Sequence, residues 1–363
     1  MQGFFSNWFW PIIAGLALSV FILDLTRRDA LSDAPGLEVA SYATAVAKAT
    51  PSVVNIYTAK LVNEAADPRL NRYDPRSRSR EQRIERSLGS GVILSEDGII
   101  LTNRHVITDA DAIQVLLNDN RTANAEIIGA DPATDLAVLK IDLQDLYPAV
   151  MGDSNRVRVG DVVLAIGNPL GFGHSVTQGI ISALGRYGFQ GGAYYEDYIQ
   201  TDATIHMGNS GGALINTQGE LLGINSLIYT GGGSASAGIG IGLAVPINLA
   251  LFVAQDIIDY GRVIRGWMGV SVQPLVLRDQ QTMTQGALLV TQTSTGGPAD
   301  RAGIEPGDVI TAINDEAVTD GRITMHRIAL LRPGDIVKVT LTKDNGDVET
   351  VNVVLGALQT DED

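Results

Sequence analysis

Cysteine is absent from all 363 residues. That excludes disulfides, thiolate nucleophiles and thiolate metal sites. Positive charge is scarce: 26 Lys and Arg stand against 41 Asp and Glu, a net charge of −15. A chain so acidic is poorly suited to general nucleic-acid binding. Aromatic residues make up only 6% and histidine occurs four times, so candidates for imidazole chemistry are few. What abounds instead is glycine, with 40 residues. Frequent glycine with few aromatics suits a turn-rich β protein better than a helix bundle.

The first 23 residues, "MQGFFSNWFWPIIAGLALSVFIL", carry no charged side chain, and Asp24 ends the run. About 20 apolar residues span a hydrocarbon core, and Phe4, Phe5, Trp8, Phe9 and Trp10 resemble an interfacial aromatic belt. We expect a transmembrane anchor over 1–28 and a polar tether over 29–37. A cleaved signal peptide would need a positive n-region and a small-residue cleavage site, and neither is clear. Residues 63–86 hold seven arginines, five acids and two prolines, which reads as a long exposed loop.

From Gly89 onward short β-rich runs alternate with turn signals, among them "GSGVIL", "GIILTNRHVI", "LAVLKI", "DVVLAIG" and "GIGLAVP". Such spacing without long intervening helices indicates paired barrels or sandwiches. "NLALFVAQDIIDYGRV" is apolar at helical spacing and closes that domain. A second unit beginning near Val263 shows five further strands and one helix near 321–331.

Chemistry concentrates in "TDATIHMGNSGGAL", residues 201–214. Three glycines in Gly208-Asn209-Ser210-Gly211-Gly212 fit a plain turn. They equally fit a nucleophile on a bend whose N–H groups converge on a developing oxyanion. A serine nucleophile needs a base. His105 ends the apolar strand of "LTNRHVIT", whereas His174 lies in a glycine-rich loop, His206 is too close to the bend and His326 belongs to the second unit. Asp135, at the mouth of the strand "LAVLKI", supplies the carboxylate that a base requires. The chain order His105, Asp135, Ser210 is that of chymotrypsin-like barrels.

Together with "TDLAVLKI", "VTQGIIS" and "QTDATIHMGNSGGALIN", these segments resemble the HtrA family of trypsin-like serine proteases. "RGWMGVSVQPL" and "AGIEPGDVI" look like one PDZ domain. The resemblance covers residues 38–358. It implies a mainly β protein: a double β-barrel protease over 38–260, a PDZ domain over 261–358, and an N-terminal transmembrane helix. It also implies a triad of His105, Asp135 and Ser210, an oxyanion hole at Gly208 and Ser210 with Asn209, a homotrimer, and no metal or other cofactor.

The order of anchor, protease and single PDZ is similar to the membrane-anchored stress-sensor branch of that family. That branch implies a periplasmic enzyme on the inner membrane which cleaves a membrane-bound, anti-sigma-factor-like regulator, with C-terminal peptides of misfolded envelope proteins as PDZ activators. The longer loop at 63–86 resembles the chaperone-like members, so a general quality-control protease or a PDZ scaffold stands as the alternative. Residues 203–205 and 225–227 should wall the S1 pocket, with Ile205 and Leu227 lining it; no acid stands there, so small apolar P1 residues are expected. Trp267, Met268, Gly269 and Val270 match the carboxylate-binding loop of a PDZ domain. Residues 181–200 resemble the sensor loop, and Arg186 the arginine that helps order the active site.

Overall fold

The structure is a computed structural model. It describes residues 41–63, 82–168, 173–187, 196–206, 208–229, 241–277, 285–318, 321–343 and 345–358, and near the N-terminus Gly15, Leu18 and Ser19 in helical conformation. The chain divides into two compact units, Met1–Ala43 and Thr44–Asp363. The expected anchor over 1–28 falls outside the described residues but for those three. Among the described residues no helix is long and apolar enough to cross a membrane.

The first barrel closes β1 (Val53–Asn63), β2 (Gln82–Ile93), β3 (Ile99–Asn103), β6 (Leu136–Ile141), β5 (Thr122–Asp131) and β4 (Ala112–Leu116), in that order. Its interior is aliphatic: Ile56, Ile93, Ile100, Val115 and Leu139 are all fully buried. A side chain of that kind contributes about 1.5–3 kcal/mol on burial. The expectation of a loop over 63–86 is too long. β2 already begins at Gln82 and pairs with Asn63, while residues 64–81 lie outside the described ones. Glu85 and Arg86 are exposed strand residues, and backbone ladder bonds sustain them without apolar burial.

The second barrel closes β10 (Ala213–Asn216), β11 (Leu221–Tyr229), β12 (Ile241–Pro246), β9 (Tyr198–Thr201), β8 (Ser175–Arg186) and β7 (Val162–Gly167). Here too a loop expectation is corrected. Residues 181–186 belong to β8 and pair with β9, so the connection is shorter than 181–200.

The closing helix, Ile247–Tyr260, is present and ends on Gly261 in a left-handed C-cap at φ 73°. Ile247, Ala250, Val253 and Ile257 form its buried face, which packs on β5, β6 and β11. Gly129 of β5 is required by that contact, because a Cβ there would lie 2.8 Å from Ile257 Cγ2. Truncating Ile257 to alanine would cost roughly 2–5 kcal/mol.

The C-terminal domain is a sheet of β14 (Val270–Leu277), β15 (Gln285–Thr293), β16 (Val309–Ile313), β18 (Ile336–Thr342) and β19 (Val348–Val354), with the short β17 (Glu316–Ala317) paired to β16. A two-stranded ribbon, β13 (Gly266–Trp267) with β20 (Gly356–Ala357), and the helix Gly321–Ala329 complete it. Met268, Leu288, Ile310, Ile328 and Leu341 share its core.

Candidate active site

β3 ends at Asn103 and the chain turns directly into the single helical turn Arg104–Ile107. Val106 and Ile107 are buried and anchor that turn, which leaves the His105 side chain 42% exposed. The acid comes from the connection between β5 and β6. Asp135 adopts φ 56°, a left-handed conformation unusual for a residue with a Cβ. Such a conformation costs of order 1–2 kcal/mol and persists only where its surroundings over-determine it.

Asp135 is fixed at both ends. Its carbonyl accepts from the Arg104 N–H at 2.8 Å and from Asn103 Nδ2 at 3.1 Å. Its carboxylate accepts the His105 N–H at 3.0 Å through Oδ1 and meets His105 Nδ1 at 2.5 Å through Oδ2. A carboxylate only accepts, so Nδ1 carries the proton and Nε2 is left with its lone pair. That tautomer is the one a general base needs.

Ser210 sits on a bend held by both barrels. The Asn209 N–H donates to His206 O and the Gly212 N–H to Asn209 O, each at 2.9 Å. Ser90 N–H of β2 donates to Ser210 O at 2.9 Å, and Gly211 N–H donates to Asn225 O of β11 at 2.8 Å. Gly211 has φ 82°, and a Cβ on it would collide with Ser90 O; no other residue fits. The Ser210 hydroxyl donates to the Ser226 carbonyl at 2.9 Å. Its single proton is therefore directed to Ser226 here, and must be re-aimed before it can pass to an imidazole. The Asn209 N–H, expected among the oxyanion donors, is engaged by His206 O in this structure. Gly208, at φ 96°, and Ser210 are left as the donors to consider.

Three residues that sequence reasoning did not place in the site, together with Ser226, expected there only as a pocket wall, hold it together. Thr102 Oγ1 donates to Ser90 O at 2.7 Å, and Ser90 Oγ donates to Gly208 O at 2.7 Å. Asn103 Nδ2 reaches Ser226 Oγ at 3.4 Å as well as Asp135 O. Thr102, Asn103 and Ser90 are fully buried and Ser226 nearly so. The signal available in sequence was two polar residues ending the apolar strand "IILTN", since buried polar groups require partners.

The other histidines lie elsewhere. His174 Nε2 meets Val53 O at 2.9 Å, and burial holds its pKa below the usual value. His206 is exposed. Of the expected pocket residues, Ile205 is buried in the second barrel's core with Ala203. The side chain of Leu227 lies outside the described residues, although its backbone pairs with Leu243. Asn225 and Ser226 are buried, and residues 203–205 and 225–226 include no carboxylate.

The four loop residues expected to capture a carboxylate border one cavity of about 160 Å³, with Met325 and Ile328 opposite. Gly269 has φ 81°. The Met268 and Gly269 carbonyls accept from the N–H groups of Ala299 and Ser294, each at 2.9 Å. Arg186 ends β8, and its Nε donates to Gln200 Oε1 at 3.0 Å. Its neighbours Gly185, Tyr187, Glu196 and Asp197 face His326, Arg327 and Leu330 of the C-terminal domain across a cavity of about 270 Å³. Burial raises the Asp197 pKa above the usual carboxylate range.

The fold and the site together define a trypsin-like serine endoprotease joined to a PDZ domain. Residues 89–224 match the trypsin-like peptidase domain and residues 266–355 the PDZ domain. Serine endoprotease DegS of Escherichia coli (strain K12) is 39% identical over 342 residues, 92% of each chain. A DegP-like periplasmic serine endoprotease of Rhizobium meliloti is 42% identical over 82% of this chain, which spans 58% of that relative's length. The solved structure of the HtrA-type protease AlgW with a decapeptide has a TM-score of 0.71 at 44% identity, covering 88% of this chain and 99% of that one. AlgW with a tripeptide gives 0.72 at 43% identity, covering 88% and 98%. The chain belongs to the HtrA family of serine endoproteases.

Proposed function

We propose that His105, Asp135 and Ser210 form the catalytic triad of a membrane-anchored periplasmic endoprotease that is switched by C-terminal peptides at its PDZ domain. The observation that carries this reading is Asp135 gripping His105 by both backbone N–H and Nδ1. His105 Nε2 takes the Ser210 proton as Oγ attacks the scissile carbonyl. The N–H groups of Gly208 and Ser210 receive the oxyanion. The C–N bond then breaks, the imidazolium protonates the leaving amine, and an acyl-enzyme remains on Oγ. Water, deprotonated by His105, hydrolyses that ester and restores Ser210.

The uncharged run from Met1 to Leu23 supports the anchor, and DegS and the DegP-like relatives support the periplasmic setting. The protease domain spans 38–260 and the PDZ domain 261–358. The cavity at Trp267–Val270 suits an apolar C-terminal residue whose carboxylate meets backbone N–H groups. A ligand shifts a resting state only by its differential affinity for the active one. The substrate in this reading is a membrane-bound, anti-sigma-factor-like regulator of an envelope stress response. Similarity to a DegP-like enzyme favours general quality-control proteolysis as the second reading.

The test is cleavage of casein and of a regulator peptide, with and without saturating peptides that end in a free apolar carboxylate. A rise in kcat/KM supports the switch. Equal rates with and without peptide overturn it and leave the PDZ domain as a substrate tether.

A further inference from the structure

Asn103 occupies the N-cap of the turn Arg104–Ile107, where an asparagine side chain ordinarily accepts from the helix's own first N–H groups. Here it makes no capping bond. The side chain is fully buried and its amide turns away from its own helix, donating to Asp135 O at 3.1 Å and, at the long end of hydrogen-bond range, to Ser226 Oγ at 3.4 Å. One amide thus touches the peptide that carries the triad acid in the first barrel. It also touches the residue in the second barrel whose carbonyl accepts the Ser210 hydroxyl.

We propose that Asn103 is a positioning residue for peptide hydrolysis, holding the left-handed Asp135 peptide so that its carboxylate meets His105, and tying that peptide to Ser226. The proposal rests on the triad reading above. Two features separate it from a merely structural role. First, the Asp135 carbonyl keeps the Arg104 N–H as a second donor, so losing the Asn103 amide loosens the peptide without leaving its carbonyl unpaired. Second, the Asn103 Oδ1 has no hydrogen-bond partner among the described residues. The contribution at this position therefore comes from the donor end of the amide, directed at Asp135. Catalytic geometry is sensitive on this scale, since misplacement by about 1 Å costs on the order of 10²-fold in rate.

The experiment compares wild type with Asn103→Leu, which matches asparagine in shape and lacks the donor. Asn103→Ser keeps a shorter donor, and Ser210→Ala serves as the reference. Peptide cleavage is followed as kcat and KM across pH, with thermal unfolding of each protein. We expect Asn103→Leu to lower kcat by about 10²-fold with little change in KM. We also expect the acid limb of kcat/KM to move to lower pH, because an imidazolium facing a displaced carboxylate is less stabilised. Asn103→Ser should fall between the two. A folded Asn103→Leu with wild-type kcat and an unmoved acid limb overturns the proposal. Should Asn103→Leu fail to fold, Asn103→Ser decides by the same two readouts. Turnover by Ser210→Ala would instead refute the triad reading, so the two failures are distinguishable.

Discussion

Arg265 and Asp131 form a buried, two-pronged ion pair, with Nη1 at 3.0 Å from Oδ1 and Nη2 at 2.6 Å from Oδ2. Arg265 immediately precedes β13 and the PDZ loop at 267–270. Asp131 ends β5, and its Oδ2 also accepts the Thr134 N–H and hydroxyl, one residue before Asp135. The loop at 267–270 and the segment carrying Asp135 are therefore joined through one guanidinium. A second pair, Arg332 to Asp256 at 2.6 Å, ties the PDZ domain to the helix Ile247–Tyr260.

Removing one partner of a buried pair leaves the other charge uncompensated, at a cost of about 3–5 kcal/mol. Arg265→Met should therefore lower the melting temperature by several degrees and reduce turnover together. Replacing Asp131 by asparagine in the same chain should recover part of the stability, because the unpaired charge is removed while an acceptor for Thr134 is kept. An Arg265→Met protein melting within about 1 °C of wild type would show that the pair contributes little.

His326 links the same interface to pH. It is 9% exposed, faces Glu196 and Asp197 across the cavity behind Tyr187, and lies near Arg265 and Arg327. Burial first, then the two arginines, lower its pKa from 6.5 to about 4. The unfolded chain thus binds the proton more readily, and stability from this site is full above about pH 6.5 and lost as pH falls towards 4, by up to about 3 kcal/mol. His326→Gln should flatten thermal stability across that window. An equally steep profile in the variant would place the acid sensitivity elsewhere.

The uncharged segments at 203–205 and 225–226 carry a specificity prediction. Mass spectrometry of digested casein should show cleavage after Val, Ala and similar residues, since no carboxylate stands ready for a basic side chain. A dominant Lys or Arg signature at P1 would contradict the pocket assignment.

Gly269, at φ 81°, permits the turn of the PDZ loop. Gly269→Val places a β-branched residue in the left-handed region, at a cost of roughly 1–2 kcal/mol. Fluorescence anisotropy with a labelled peptide ending in an apolar residue should show binding weakened by about tenfold or more. Amidation of the peptide terminus should weaken it likewise. Unchanged affinity in both experiments would move the site away from this loop.

Much of the architecture was legible because it rests on local pattern. The apolar run "LAVLKI" is β6, fully interior but for the half-exposed Lys140, and "NLALFVAQDIIDY" lies within its helix as the spacing requires. The glycines around Ser210 marked a tight bend, and Gly211 shows why. What stayed hidden depends on contacts between residues far apart in sequence. Nothing local announces that Asp135 is left-handed, since the bonds holding it come from residues about thirty positions earlier. Ser226 as the acceptor for Ser210 is equally silent in sequence. The arginine-rich stretch concealed the start of β2 because its ladder is backbone chemistry, indifferent to side-chain polarity. Arg186, read as part of a loop, is held in a strand by its pairing with Tyr198.

The central claim is that Ser210 is the nucleophile and His105, aligned by Asp135, its base. Covalent labelling with a fluorophosphonate, followed by peptide mass mapping, tests it most directly. One adduct per chain is predicted, on Ser210, with labelling slowed by about 10⁴-fold in His105→Ala and unaffected in His174→Ala. An adduct on another residue, or wild-type labelling of Ser210 in His105→Ala, would contradict the account.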